Sequence, residues 1–343
     1  MKSLTMRVII SIFTVVLFSM FSPGPSEAAE PIKLVLGSTG VPDVTTWWAC
    51  EDFVERVARY SNGEIKVEHH GAGALGSDKK LAQSVKLGTI DMGTVSNANY
   101  SSVGNSLQPF DLPYITHGTM NLYRVINNSK IRSTLEKKVE QDGFKYIMMF
   151  PIGPTRQAFN SKREVRVPAD AKGIRIRVTA SPINHALVKS WGFLPVPIAW
   201  GETYTSIKQG IVNGVYTPEM WVFGVKISEV CKFETVTGGN TIWHIIPMNL
   251  QKWKSLSPKH QAVIDRAARE SELAAFIYDK YLETRGRRNL INAGVKIYTP
   301  TLEEMKLWME PAKKVFDDAV EKLNMDKDFI KLIQDAQIPV EKY

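Results

Sequence analysis

The sequence predicts an α/β protein of two similarly built lobes braced by one long helix. Three observations carry that expectation. Strand-like and helix-like segments alternate over most of the 343 residues, a helix–glycine–strand unit occurs twice, and one apolar stripe marks a helix longer than a single lobe. The length agrees, since a domain takes about 100–200 residues.

At the N-terminus, Lys2 and Arg7 flank the start of an uncharged, mostly apolar run at 8–20. Pro23, Gly24 and Pro25 then break any helix, and Ser26-Glu27-Ala28 puts small residues at the positions a signal peptidase reads. Residues 1–28 are expected to be a cleavable signal peptide, with the rest of the chain working outside the cytoplasm. The rival is an N-terminal membrane anchor, but the run falls short of the roughly 20 apolar residues a span needs. No Cys follows it to accept a lipid.

Beyond that segment, 32–36 reads as a strand and 46–60 as an amphipathic helix stopped at Asn62-Gly63, because Gly readily adopts the left-handed position after a helix. A strand follows at 64–70, a helix capped by Ser77 at 77–87, and a strand at 89–95 after Gly88. The second half repeats the order: helix 181–191, Gly192, strand 194–198, helix 201–209, Gly210, strand 211–216. The match is visible in letters, Val85-Lys86-Leu87-Gly88-Thr89-Ile90-Asp91 against Ile207-Lys208-Gln209-Gly210-Ile211-Val212-Asn213. After Ser257-Pro258, apolar residues recur at helical spacing from Ile264 to Leu282, which predicts a helix of roughly 28 residues, about 40 Å long. A final helical stretch at 302–323 contains Pro311, expected to kink or split it.

Composition narrows the function. The formal charge is +8, or +7 once Lys2, Arg7 and Glu27 are removed, but Lys and Arg are interspersed with Asp and Glu, and only Arg285-Gly286-Arg287-Arg288 clusters. That pattern argues against nucleic acid and leaves a general attraction for small anions. An oxidising compartment permits one Cys50–Cys231 disulfide, whereas the apolar helical setting of Cys50 favours two buried free thiols. The six histidines show no metal-ligand spacing, so no metal site is expected, and they read as surface or satisfied core residues. Phosphate-cradling loops, nucleophile elbows and zinc-protease motifs are missing, so no cofactor is expected and an enzyme is the lesser alternative.

The recognition chemistry present centres on arginine. Arg156 follows the Gly153-Pro154 turn, and Arg175 and Arg177 alternate with Ile174, Ile176 and Val178, so both point to one face of a strand. A lone strand arginine is commonly a solvated edge charge, yet guanidinium is also the group best shaped for a two-pronged grip on a carboxylate. Trp47, Trp48, Trp200, Tyr204, Tyr216 and Trp221 surround the candidate segments, although any one aromatic is as readily core.

Gly173-Ile174-Arg175-Ile176-Arg177-Val178, then 192–197, Gly201-Glu202-Thr203-Tyr204-Thr205 and Gln209-Gly210-Ile211-Val212-Asn213-Gly214 together resemble the signature core of the solute-binding proteins of tripartite ATP-independent periplasmic (TRAP) transporters. Ser61-Asn62-Gly63, Leu75-Gly76-Ser77-Asp78, Leu87-Gly88-Thr89-Ile90-Asp91-Met92-Gly93 and Phe110-Asp111-Leu112-Pro113-Tyr114 extend the resemblance over nearly the whole chain. It implies a periplasmic receptor whose two lobes, joined by hinge strands and spanned by the long helix, close on an organic acid and deliver it to integral-membrane permease subunits. By the same resemblance, Arg177 matches the ligand-clamping arginine and Arg156 its support. Where the family often has Gln-Glu-Asn-Pro, this chain has Val215-Tyr216-Thr217-Pro218; Thr217 still offers a hydroxyl donor, with a shorter reach than Asn. That departure counts against the family's straight-chain dicarboxylate and sialic-acid ligands. Trp221, Tyr216, Trp200, Trp47 and Asn97 complete the expected ligand-binding set. The expected lobes are 29–153 with about 243–282, and 154–242 with about 283–343. A small organosulfonate is the close alternative ligand, a secreted α/β enzyme the alternative class, and the receptor of an ATP-driven transporter would share the two lobes.

Overall fold

The computed structural model describes residues 30–116 and 118–338; the expected signal peptide lies outside the described residues. Two six-stranded sheets form the frame. The first contains β1 (Ile32–Gly37), β2 (Ile65–His70), β3 (Met92–Gly93), β4 (Val95–Ser96), β5 (Phe144–Pro151) and β11 (Trp243–Asn249). Its strand order is β2-β1-β3-β11-β4, with β5 also paired to β11. The second contains β6 (Gln157–Asn160), β7 (Arg175–Val178), β8 (Leu194–Pro197), β9 (Gly214–Thr217), β10 (Phe233–Thr235) and β12 (Lys296–Tyr298), in the order β12-β10-β6-β9-β7-β8.

The repeat seen in letters is a repeat in structure. Helix α1 (Thr45–Tyr60) buries Ala49, Cys50, Phe53 and Val57 at helical spacing, and α2 (Asp78–Leu87) is capped by the Ser77 side chain, which accepts from the Lys80 N–H. Gly88 takes φ 74, and the Thr89 N–H reaches back to the Ser84 carbonyl at 3.0 Å. Gly210 takes φ 73, and the Ile211 N–H reaches the Ser206 carbonyl at 2.9 Å. Both are Schellman-type terminations, which need a left-handed residue and therefore favour glycine. They also correct two strand starts. Residues just after each glycine still close the preceding helix, so the strands expected at 89–95 and 211–216 begin later, at Met92 and Gly214.

The sheets are mixed, with parallel and antiparallel pairs in both. Parallel pairing joins β1 to β2 and β3, β7 to β8 and β9, and β10 to β12. The antiparallel pairs involve strands that pass between sheets: β11 against β3, β4 and β5, and β6 against β9 and β10. The chain crosses at 152–156 and returns at 236–242, and the two crossings run side by side, with Ile152 N–H to the Ile242 carbonyl (3.1 Å) and Arg156 N–H to the Asn240 carbonyl (2.8 Å).

Numbering the remaining helices in order, α3 is Asn97–Tyr100, α4 Gly118–Ile126, α5 Ser129–Gln141, α6 Pro182–Ser190, α7 Thr203–Lys208, α8 Glu219–Gly224, α9 Leu250–Ser255, α10 Pro258–Asn292, α11 Leu302–Lys322 and α12 Lys327–Asp335. Helix α10 is the expected brace and is longer than the apolar stripe alone indicated, 35 residues, or about 50 Å. It packs on α1 and β5 at one end and on α8 further along, then feeds β12. Gly286 permits the α8 approach, since a Cβ there would stand 3.1 Å from the Met220 Cα. Helix α11 runs unbroken through Pro311, so the expected split does not occur. Helix α12 returns beside α5: Lys138 pairs with Asp326 at 2.8 Å, and Arg124 Nε donates to the Ala336 carbonyl. Cys50 and Cys231 are free and buried in separate apolar clusters. Among the described residues, no helix is long and apolar enough to cross a membrane, and no group of three or more His, Cys, Asp or Glu could hold a metal ion.

Candidate ligand-binding site

The crossing segments and the facing strand ends enclose a cavity of about 30 Å3 lined by residues of both sheets. From the second sheet, alternation along β7 turns Arg175 and Arg177 to the same face, as expected. They meet different surroundings. Arg175 is exposed at the strand's start and donates to the Gly210 carbonyl, whereas Arg177, two residues on, is 3% exposed. Arg177 Nε donates to the Ile198 carbonyl at 2.9 Å, and its guanidinium carbon lies 5.3 Å from the Trp200 ring. Trp200 in turn meets Trp221 edge-on at 4.9 Å. Thr217 and Thr179, at the ends of β9 and β7, complete this wall.

Arg156 comes from the crossing segment itself and is fully buried. None of its three side-chain nitrogens has a hydrogen-bond partner. Its guanidinium lies 5.9 Å from the Tyr216 ring, and the counter-charge that acts on it most strongly is Asp111. That carboxylate is already occupied by Ser181, Asn184 Nδ2 (2.8 Å) and Asn240 Nδ2 (3.1 Å). Burial raises the Asp111 pKa to about 6, with Arg156 opposing the rise. Burial and the adjacent Arg156 charge lower Arg177 to about 9, against the pull of Asp78, so the side chain stays cationic at neutral pH. Two desolvated guanidinium groups side by side, one without a hydrogen bond, are costly until an anion joins them.

The first sheet supplies the opposite wall: Thr39 beyond β1, Asp78 at the start of α2, Ser96 at the end of β4, Asn99 in α3, and His244 from β11. Asp78 accepts from Thr39 Oγ1 (2.7 Å), the Ser96 N–H (3.1 Å) and Asn99 Nδ2 (3.2 Å). Burial alone would raise this carboxyl, but the proximity of His244 and these donors hold it below the ordinary carboxylate range. His244 Nε2 stands 4.0 Å from Asp78, and its Nδ1 shares a hydrogen bond with Thr46 Oγ1. Burial lowers the imidazole to about 4, so it is neutral at pH 7.

Of the eight expected residues, Arg156, Arg177, Trp200, Thr217 and Trp221 meet at this cavity. Three do not. Tyr216 backs Arg156 and donates to Asn240 Oδ1 (3.1 Å); strand alternation turns it away from its neighbour Thr217. Asn97 is spent on structure, donating to the Phe110 carbonyl and accepting from the Trp243 N–H. Trp47 packs its ring edge against His69 at 5.0 Å, off the cavity. The first-sheet wall went unread because Asp78 resembles an ordinary helix-start acid and His244 an isolated core histidine. Its one signal was position: Thr39 and Ser96 sit where strands end, the place open α/β sheets put ligands.

A cavity between two α/β lobes, hung on paired crossing segments and furnished with buried cationic groups, defines the class: a two-lobed solute-binding protein. The chain belongs to the bacterial extracellular solute-binding proteins of family 7, whose model matches residues 38–323, and it is a binding protein rather than an enzyme. It is 26% identical to the C4-dicarboxylate-binding periplasmic protein of Rhodobacter capsulatus over 300 residues, covering 87% of this chain and 89% of the relative. The 2,3-diketo-L-gulonate-binding periplasmic protein of Escherichia coli is also 26% identical, over 84% of this chain and 87% of its own length. Among solved structures, a TRAP periplasmic solute-binding protein from Roseobacter denitrificans with bound β-D-glucuronate superposes with a TM-score of 0.83 at 20% identity, covering 88% of this chain and 99% of that one. That likeness establishes the fold.

Proposed function

We propose that this chain is the periplasmic receptor of a TRAP-type transporter, capturing a small organic acid between its lobes and passing it to membrane permease subunits. The observation that carries the reading is the Arg156–Arg177 pair: a fully buried guanidinium with no hydrogen-bond partner stands beside a second arginine at a cavity between the two sheets. A carboxylate entering there loses water, and charge-assisted hydrogen bonds, each contributing about 1.5–3 kcal/mol, offset that loss. Relatives named for a dicarboxylate and a sugar acid support the same chemistry. The lobes are read as 29–153 with about 243–282, and 154–242 with about 283–343, the chain end packing back on α5 of the first lobe through α12. Family membership supports the permease partner and the periplasmic compartment. A thermal-shift screen of organic acids and small sulfonates tests the proposal: a receptor gains melting temperature with its ligand, increasingly so as concentration exceeds the dissociation constant. No shift with any acid or sulfonate at millimolar concentration would contradict it.

A further inference from the structure

The two walls of the cavity differ in charge and in hydrogen-bonding sense. Three charged side chains line it: Arg156, Arg177 and Asp78. The arginines approach from the crossing segment and the second sheet, Asp78 from the first. Behind Arg156 stands a further carboxylate, Asp111, so the buried group holds two cationic and two anionic side chains. A ligand with one negative charge satisfies the arginines. A second carboxylate at the ligand's far end would meet Asp78, and facing like charges in a desolvated site are strongly disfavoured.

The donors on the Asp78 wall are largely spent. The Thr39 hydroxyl proton goes to Asp78, and Asn99 Nδ2 donates to both Asp78 and Ser96 Oγ (2.9 Å). The Ser96 N–H is used on Asp78 as well. What remains is mostly acceptor, with lone pairs on Thr39 Oγ1, Asp78 and the Asn99 side-chain oxygen, beside the Ser96 hydroxyl, whose oxygen accepts from Asn99, and the neutral His244 ring. Such a wall receives hydroxyl donors and offers little to a carboxylate.

From this arrangement we infer that Asp78 determines specificity, restricting the ligand to a monocarboxylate with hydroxyl groups at its far end and excluding dicarboxylates. The inference rests on the receptor reading, which places the ligand's carboxylate at the arginines. Asp78 also ties together Thr39, Ser96 and Asn99, so its replacement tests fold and specificity together, and the wild-type protein provides the independent measurement.

Titration calorimetry on the full chain uses pairs matched in length that differ by CH2OH against COO−, such as 4-hydroxybutyrate with succinate and galactonate with galactarate, extended from three to six carbons. In every pair that binds, the wild-type protein should prefer the hydroxy monocarboxylate by about tenfold or more. Asp78→Asn should reduce that preference by about tenfold, because it removes the opposing charge while keeping the side-chain shape. A wild-type protein that binds dicarboxylates as tightly as their partners overturns the inference and leaves the receptor reading intact, as does an Asp78→Asn variant that folds with its preference unchanged. Should the variant not fold, the wild-type ratio decides alone. Failure of every acid in the panel to bind overturns both.

Discussion

Arg156 is the residue whose burial is hardest to explain by stability. A fully desolvated guanidinium without a hydrogen bond opposes folding, and Asp111 has other donors to satisfy it. Arg156→Met should therefore weaken acid binding at least tenfold while leaving the ligand-free melting temperature level or higher, because it removes a desolvated charge that has no hydrogen bond and opposes Arg177. Calorimetry with parallel thermal denaturation checks this; a fall of more than a few degrees would make Arg156 a structural partner of Asp111 instead. The arginines were legible because strand alternation and a Gly-Pro turn placed them. Asp78 and His244 were not, because what distinguishes them is the wall across the cavity, a tertiary fact. Tyr216 and Trp47 lie off the cavity lining, which their letters could not show, since a core ring and a ligand platform read alike.

At the scale of elements, the crossing segment at 152–156 is pinned to the long helix. Asp279 of α10 accepts from the Gly153 N–H (2.9 Å) and from Thr45 Oγ1 (2.7 Å), joining crossing, brace and first lobe. Burial raises its pKa to about 7, with Thr45 and Gly153 opposing the rise. The folded form thus retains a proton that the unfolded chain releases near pH 4, and Asp279 costs stability progressively as pH rises from about 4 to 7. Asp279→Asn cannot release that proton, so its melting temperature should gain on wild type across this window and hold the difference above it. A constant difference between pH 4 and 8 would show that the carboxyl titrates normally. The brace, the glycine stops and most helices could be read from periodicity. The strand starts after Gly88 and Gly210 could not, because the backbone there serves the helix first. Pro311 shows the same limit in reverse, since packing of α11 carries the helix past a residue that local propensity would make a break.

For the molecule as a whole, the receptor reading requires the two lobes to open and close on the ligand. The cavity of about 30 Å3 has room for a water or two and not for an organic acid, so the lobes must part to admit one. Two crossing segments and one long helix connect the lobes and are where such a motion would hinge. The ligand can shift the open–closed balance only by its differential affinity for the closed form. Ligand saturation should reduce the radius of gyration measured by X-ray scattering relative to ligand-free protein, and identical radii would count against a hinged receptor. Two lobes were visible in the sequence as a repeated unit, but the mixed pairing of the sheets was not. Antiparallel neighbours arise only where the chain passes from one lobe to the other, and such crossings have no local signature.

The central claim is that a small organic acid is held between the lobes by the arginine pair, and titration calorimetry of wild-type and Arg177→Ala protein against the same acids tests it most directly. The wild-type protein should bind at least one acid one-to-one. Arg177→Ala should lose roughly 3–5 kcal/mol of that binding, a hundredfold or more, because the ligand's buried charge loses one of its two arginines. Undiminished affinity in the variant would contradict the claim.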